Sequence, residues 1–458
     1  MKEEYIKYLK EIVGEEKVIT DLEDKICFGY DSTRLEYMPD VIVKVNDSQQ
    51  ISSIMKFANE FKIPVTPRGS ATGLSGGCLA VKGGILLVML EMNKVLKINT
   101  VDLQIEVEAG TITIDVDRIA NKYGLFYPPD PGSLKTSTIG GNIAENAGGL
   151  RGLKYGVTKD YVNAMELILP SGEIVNVGAK TVKSVTGYNI VDLIVGSEGT
   201  LAIVARATLG LLPVPPARAS LLATFADTTD ATKTVKDIVS EGVITATLEY
   251  IDNVTINAIE DYLKIGLDRG IGAMLLIEVD GQKGTVDVEA EIVKKVCARN
   301  NAIFCKLATS DVERDTLWSA RRAALSSLAR VRPSTILEDA TVPRSKIVEL
   351  VEAVNNIASR YNLIIGTFGH AGDGNLHPTI LTDLRNKEEE KRVEKAIEEI
   401  FIETVKLDGT LSGEHGIGLT KAKFLKLEIS EEVYNLMKRI KQTFDPNNIL
   451  NPGKLFVD

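Results

Sequence analysis

Glycine is concentrated in three stretches of the first half of the chain, and this constrains the fold more than any other feature. The first is Pro67-Arg68-Gly69-Ser70-Ala71-Thr72-Gly73-Leu74-Ser75-Gly76-Gly77. The second opens on Pro131-Gly132-Ser133. It continues as Thr138-Ile139-Gly140-Gly141-Asn142-Ile143-Ala144-Glu145-Asn146-Ala147-Gly148-Gly149 and runs on to Tyr155-Gly156. The third lies between 187 and 203. Backbone without Cβ atoms turns sharply and brings its N–H groups close to a ligand. Consecutive N–H groups in such a turn make a concavity for anions, and two such loops from separate places can clamp a diphosphate. Neither is a Gly-x-Gly-x-x-Gly turn between strand and helix, and no Gly-x-x-x-x-Gly-Lys-Ser/Thr occurs. Tight turns explain any one zone; three together point to a nucleotide cofactor.

Helical and strand-like segments alternate around these zones without the long rhythm of a barrel. Apolar spacing predicts helices at 3–14 and 51–61 and strands at 41–45, 65–67, 85–90 and 105–107. Leu212-Pro213-Val214-Pro215-Pro216 reads as a linker, because proline fixes φ and cannot donate to a sheet. Beyond it, strands are expected at 220–225, 246–251 and 273–280, with helices near 230–240 and 285–299. That order suggests an antiparallel sheet with helices on one face. A further helix spans 388–406, with Gly409 beyond its end.

A length of 458 residues calls for two or three domains. The net charge of −10, with no long basic run, argues against a nucleic-acid surface. No apolar run approaches the ~18 residues of a membrane span. The charged start, Met1-Lys2-Glu3-Glu4-Tyr5, lacks the apolar core of a signal peptide, so a cytoplasmic protein is expected. Cys27, Cys78, Cys297 and Cys305 form no Cys-x-x-Cys pair, which argues against an iron–sulfur cluster in this chain.

The chain has three histidines, all between 370 and 415. His370 and His377 flank a Gly-Asp-Gly turn in Gly369-His370-Ala371-Gly372-Asp373-Gly374-Asn375-Leu376-His377-Pro378. In one strand a spacing of seven would place them on opposite faces; a strand–turn–strand path brings them together. His415 follows a carboxylate in Ser412-Gly413-Glu414-His415-Gly416. Two imidazoles plus the oxygen of Glu414, with a position left open, make a catalytic-type site for Zn²⁺, Fe²⁺ or Mn²⁺. Ligand type alone does not select the metal.

These glycine zones occur together with Lys183-Ser184-Val185-Thr186-Gly187-Tyr188-Asn189, Gly196-Ser197-Glu198-Gly199-Thr200-Leu201 and the closing Asn451-Pro452-Gly453-Lys454. With these motifs the whole chain, from Tyr30-Asp31-Ser32-Thr33 onward, resembles the FAD-linked D-2-hydroxy acid dehydrogenases. That group includes glycolate oxidase flavin subunits, D-lactate dehydrogenase and D-2-hydroxyglutarate dehydrogenase. The resemblance implies an α+β architecture with a two-subdomain FAD-binding domain of the vanillyl-alcohol-oxidase type at 1–215. An antiparallel-sheet substrate and metal (cap) domain is implied at 216–420, and a C-terminal segment at 421–458 that returns to the FAD domain.

It further implies that 67–77 and 131–141 hold the FAD diphosphate, and that 187–201 lines the flavin and adenine. Ala147, Gly148, Gly149, Tyr155, Gly156, Glu198, Gly199, Ile203 and Asn451 are expected at the cofactor as well. Some members of the wider superfamily tie the flavin to a histidine; with none before 370, FAD is expected to be noncovalent. By the same resemblance His370, His377 and Glu414 ligate the metal, and His415 takes the hydroxyl proton. Arg321, in Leu317-Trp318-Ser319-Ala320-Arg321-Arg322, grips the substrate carboxylate, a task suited to its planar fork. Arg322 reads as an exposed helix residue. Leu325 stands where the hydroxyglutarate enzyme has a substrate-binding threonine, which favours a short hydroxy acid such as D-lactate or glycolate.

The implied reaction moves a hydride from the substrate Cα to FAD. With neither a cluster motif nor an NAD-binding unit in the chain, the electrons need a separate acceptor protein. The resemblance implies an electron-transferring flavoprotein or an iron–sulfur subunit, in a hetero-complex or around a homodimer. Rival readings are an oxidase that reduces O₂, a D-2-hydroxyglutarate dehydrogenase, a flavin-containing transferase like alkyl-dihydroxyacetonephosphate synthase, and a noncatalytic flavin subunit.

Overall fold

Apolar side chains at 51, 54, 55 and 58 give the helix Ser48–Phe61 one fully buried face. Asp47 caps its first turn by accepting from the Gln50 amide at 2.9 Å, satisfying a backbone donor that has no partner within the helix. The strands beside it, Val41–Lys44, Ile85–Val88 and Val65–Arg68, pair in parallel and are almost wholly buried. Their unbroken apolar character is what burial on both faces requires.

The computed structural model describes residues 1–456, and its chain divides into two units. The first takes Met1–Gly148, Val157–Val214 and the chain from Glu414 onward. It holds a four-stranded sheet in the order Val18–Ile19, Val41–Lys44, Ile85–Val88, Val65–Arg68. A five-stranded antiparallel sheet follows in the order Val95–Asn99, Gln104–Glu108, Ile203–Gly210, Val162–Ile168, Ile174–Gly178. The C-terminal stretch is pinned to the first sheet, since the Val65 amide donates to Ile449 and the Asn451 amide to Val65. Leu212–Pro213 pairs with Leu125–Phe126, so the first two residues of the proline-rich linker form a short strand. Proline tolerates this place because the pairing is only two residues long.

The second unit comprises Gly149–Gly156 and Pro215–Gly413. Its last residue is Gly413. Its antiparallel sheet runs Phe304–Leu307, Ala217–Phe225, Ala273–Gly281, Thr247–Asp252, Ile364–His370, Asn375–Thr382, Ser334–Leu337, with Ala340–Thr341 also on Asn375–Thr382. Alternate residues face opposite ways. Leu248, Tyr250, Leu275, Ile277 and Ile380 pack among Val235, Val293, Val351 and Ile400 of the long helices. Ile251, Met274, Leu276, Phe368 and Leu381 pack instead among Ile256, Ile259, Trp318, Ala324 and Leu328. Helices therefore cover both faces, not one. The helices Asn253–Leu263 and Ala324–Leu328 on the second face were not anticipated from the apolar period.

Candidate functional site

The hairpin Ile364–His370/Asn375–Thr382 sets the register of the two histidines. His370 pairs with Asn375 and Phe368 with His377, so both imidazoles lie on one face, two residues apart along the hairpin. Their ring centroids are 5.3 Å apart and nearly perpendicular. Gly374 turns the chain at φ +90°, and a Cβ there would run into the Val342 carbonyl. A side chain at that position is excluded by both conformation and space.

The next strand places Glu249 directly opposite His370. Glu249 is fully buried, and its Oε1 lies 2.7 Å from His370 Nδ1. Its Oε2 accepts from Arg321 Nε. Burial pushes the Glu249 carboxyl up, but the Arg321 guanidinium and His370 outweigh it and hold the group below its ordinary value. Arg321 is itself buried and stacks over the Phe368 ring at 4.8 Å, and that ring lies 5.5 Å from His377. Arg322, by contrast, is exposed. Asp339, fully buried, accepts from the Ser412 hydroxyl at 2.7 Å and lies 3.9 Å from His377 Nδ1.

One face of the second unit thus gathers His370, His377 and Arg321. Sequence reading missed Glu249 and Asp339, although a charged residue inside the apolar run Leu248-Glu249-Tyr250-Ile251 was a signal. This face suits a cation. Asn375, opposite His370, has its side-chain oxygen buried without a hydrogen-bond partner among the described residues. Buried oxygens of that kind need a partner, and imidazoles are common ligands of divalent metals.

In the first unit the glycine loops meet, because a Cβ on Gly69 would strike the Thr138 side chain. The carbonyls of the first loop are used. Ala71 accepts from Ser32, Ser75 from Leu419, Gly76 from Leu79, and Gly77 from Asn451. The amides of Gly69 to Gly76 have no acceptor among the described residues. A row of amides without protein acceptors is suited to a diphosphate. In the second loop, Thr138 caps the helix Ile139–Glu145 by accepting from the Gly141 amide at 3.2 Å.

Glu414 lies beside Gly148, and its Oε1 is 4.0 Å from His415 Nε2. The turn after His415 rests on two buried carboxylates. Glu198 accepts from the Ile417 and Gly418 amides at 2.8 and 2.7 Å, and a Cβ on Gly416 would strike Glu145. Ser75 donates to Glu145 at 2.8 Å. Burial raises both carboxyls, Glu198 to about 7 and Glu145 well above its usual range with Glu198 adding to the effect. Burial also lowers Lys454 to about 8. Asn451 donates to the carbonyls of Gly77 and Glu198, tying the loops together. Gly149, Tyr155 and Gly156, expected at the cofactor, fall in the second unit, where the Tyr155 hydroxyl donates to Asp280 at 2.8 Å.

The profile of the family described as FAD binding domain matches residues 39–178, and that of FAD linked oxidases, C-terminal domain, matches residues 214–455. The chain is 47% identical to the glycolate oxidase subunit GlcD of Bacillus subtilis, over 98% of this chain and 96% of that one. It is 34% identical to the D-lactate dehydrogenase of Anaerostipes hadrus, over 99% and 97%. To that of Archaeoglobus fulgidus it is 37% identical, over 91% of each. Among solved structures, p-cresol methylhydroxylase superposes with a TM-score of 0.80 at 17% identity, covering 99% of this chain and 96% of that one. Alkyldihydroxyacetonephosphate synthase superposes at 0.78 with 20% identity, covering 99% and 86%. At these identities the two structures establish the vanillyl-alcohol-oxidase-type fold and nothing finer.

Proposed function

Because the chain belongs to the FAD-linked oxidases and is an FAD-dependent hydroxy acid dehydrogenase or oxidase, we propose that it oxidises a short D-2-hydroxy acid, D-lactate or glycolate, to the 2-oxo acid. A separate acceptor protein, such as an electron-transferring flavoprotein, would take the electrons. The observation that carries the reading is the buried array of His370, His377 and Arg321 on one sheet face.

Each residue has a chemical task. Arg321, with Nε held by Glu249, offers its remaining N–H groups to the substrate carboxylate as a charge-assisted fork. His370, His377 and Glu414 would hold a divalent cation, which supplies Lewis-acid polarisation of the substrate hydroxyl. His415 takes the hydroxyl proton as general base. Glu414 and His415 follow directly on Gly413, where the chain leaves the second unit. FAD, when bound, supplies the two-electron acceptor, and the amides of the Gly69–Gly76 loop would hold it.

Anaerobic mixing of the purified yellow protein with D-lactate or glycolate should bleach the flavin absorbance. Prior chelation should abolish bleaching with FAD retained, and readmitting O₂ should restore the colour only slowly. Unimpaired bleaching after complete metal removal would refute the metal assignment. Rapid reoxidation by O₂ would make the protein an oxidase. A homologue named glycolate oxidase subunit favours glycolate as the second substrate to try.

A further inference from the structure

Glu249 is a fully buried carboxylate that touches both a proposed metal ligand and the proposed substrate-binding arginine. It sits in Thr247–Asp252, hydrogen-bonded on both sides to Ala273–Gly281 and Ile364–His370, so its backbone has no latitude. Removing an ionised carboxylate from water is costly unless it is paired. Here the pairing is divided, one oxygen to His370 Nδ1 and the other to Arg321 Nε. Asp339 is a weaker counterpart for the second histidine, since 3.9 Å from His377 Nδ1 is beyond hydrogen-bond length.

We infer that Glu249 is a positioning residue that couples the two halves of the site, orienting His370 for its metal and Arg321 for the substrate carboxylate at once. A proton on His370 Nδ1 donated to Glu249 leaves Nε2 as the ring's ligand atom, and carboxylate–imidazole pairing of this kind raises ligand basicity. On the other side, engagement of Nε fixes the plane of the guanidinium. The stack of Arg321 on Phe368 then sets its tilt. Disturbing one carboxylate should therefore perturb metal affinity and substrate affinity together. This inference rests on the proposed function for its consequences, but not for its geometry.

The test begins with metal-free protein labelled with ¹⁵N-histidine, which gives only three imidazole spin systems because the chain has three histidines. His370 should be the Nδ1–H tautomer; an Nε2–H tautomer overturns the inference whatever the metal does. Next, Glu249→Gln and Glu249→Asp are compared by Mn²⁺ titration and steady-state kinetics, with circular dichroism as the folding control. Glu249→Gln should weaken Mn²⁺ binding by about 10- to 100-fold and raise KM for the hydroxy acid. Glu249→Asp, which keeps the charge, should recover part of both. Arg321→Lys should raise KM while leaving Mn²⁺ affinity within about twofold. A folded Glu249→Gln protein with unchanged Mn²⁺ affinity and KM refutes the coupling. Wild-type protein that binds no Mn²⁺ refutes the metal reading instead, and the tautomer still decides the inference.

Discussion

The two units present their chemistry in opposite ways. In the first, the candidate cofactor surface is backbone: a run of amides from Gly69 to Gly76, with glycines where a side chain would strike Thr138 or Glu145. In the second, it is side chain: His370, His377, Arg321 and Glu249 on rigid strands and a helix. A loop of amides recognises charge through the one feature every residue shares, so its sequence signature is the absence of side chains. A sheet face recognises through particular groups, so its signature is identity and register. Damage to the first should cost the cofactor, and damage to the second should cost the reaction.

The largest effect expected is at the end of the Ser412–Gly416 segment. His415→Ala should lower kcat by about 10²- to 10⁴-fold, the usual worth of a general base, with FAD and metal content unchanged. A rise in KM alone would show that His415 is not the base. Next, Gly69→Val should yield colourless protein, because the new side chain meets Thr138 where the two loops touch. If that variant binds FAD normally, the loops are not the cradle and the contrast between the units collapses. Third, Arg321→Lys should raise KM about tenfold or more while the protein stays yellow, since one or more charge-assisted hydrogen bonds are lost.

The smallest effect concerns the buried carboxylates beneath Gly416. Burial raises Glu198 from its ordinary 4.5 to about 7 in the folded protein. Between those values the folded state binds more protons than the unfolded one. The stability this contributes is therefore full below the ordinary value and is lost as pH rises through about 7. Glu198→Gln removes the titration but leaves an amide facing a backbone donor. Its melting temperature relative to wild type should be lowest near about pH 5 and recover toward about pH 8. A difference that is flat with pH would mean that Glu198 is ionised throughout.

Much of this was legible in the chain. Apolar period located the helix Ser48–Phe61 and the strands around it. The spacing of His370 and His377 across a glycine turn foretold the hairpin that sets them 5.3 Å apart. The charge of Glu249 within an apolar run was a local signal, but nothing local marks it as the cross-strand neighbour of a residue 121 positions away. The second layer of helices was missed for a related reason, since Asn253–Leu263 and Ala324–Leu328 pack on a sheet face built largely from strands distant in the chain. Tyr155 reads as part of a glycine zone, yet its hydroxyl is committed to Asp280.

By itself the sequence marked the candidate residues: three histidines in two motifs, glycine loops suited to a diphosphate, and an arginine on a helix. Residue type sets ligand softness, charge and backbone freedom, and these are local properties. The tertiary structure alone decided that His370 and Arg321 share one carboxylate, Glu249. Pairing across a sheet is fixed by the register of strands far apart in the chain, and a charge such as Glu249 survives burial only where that register supplies both of its partners.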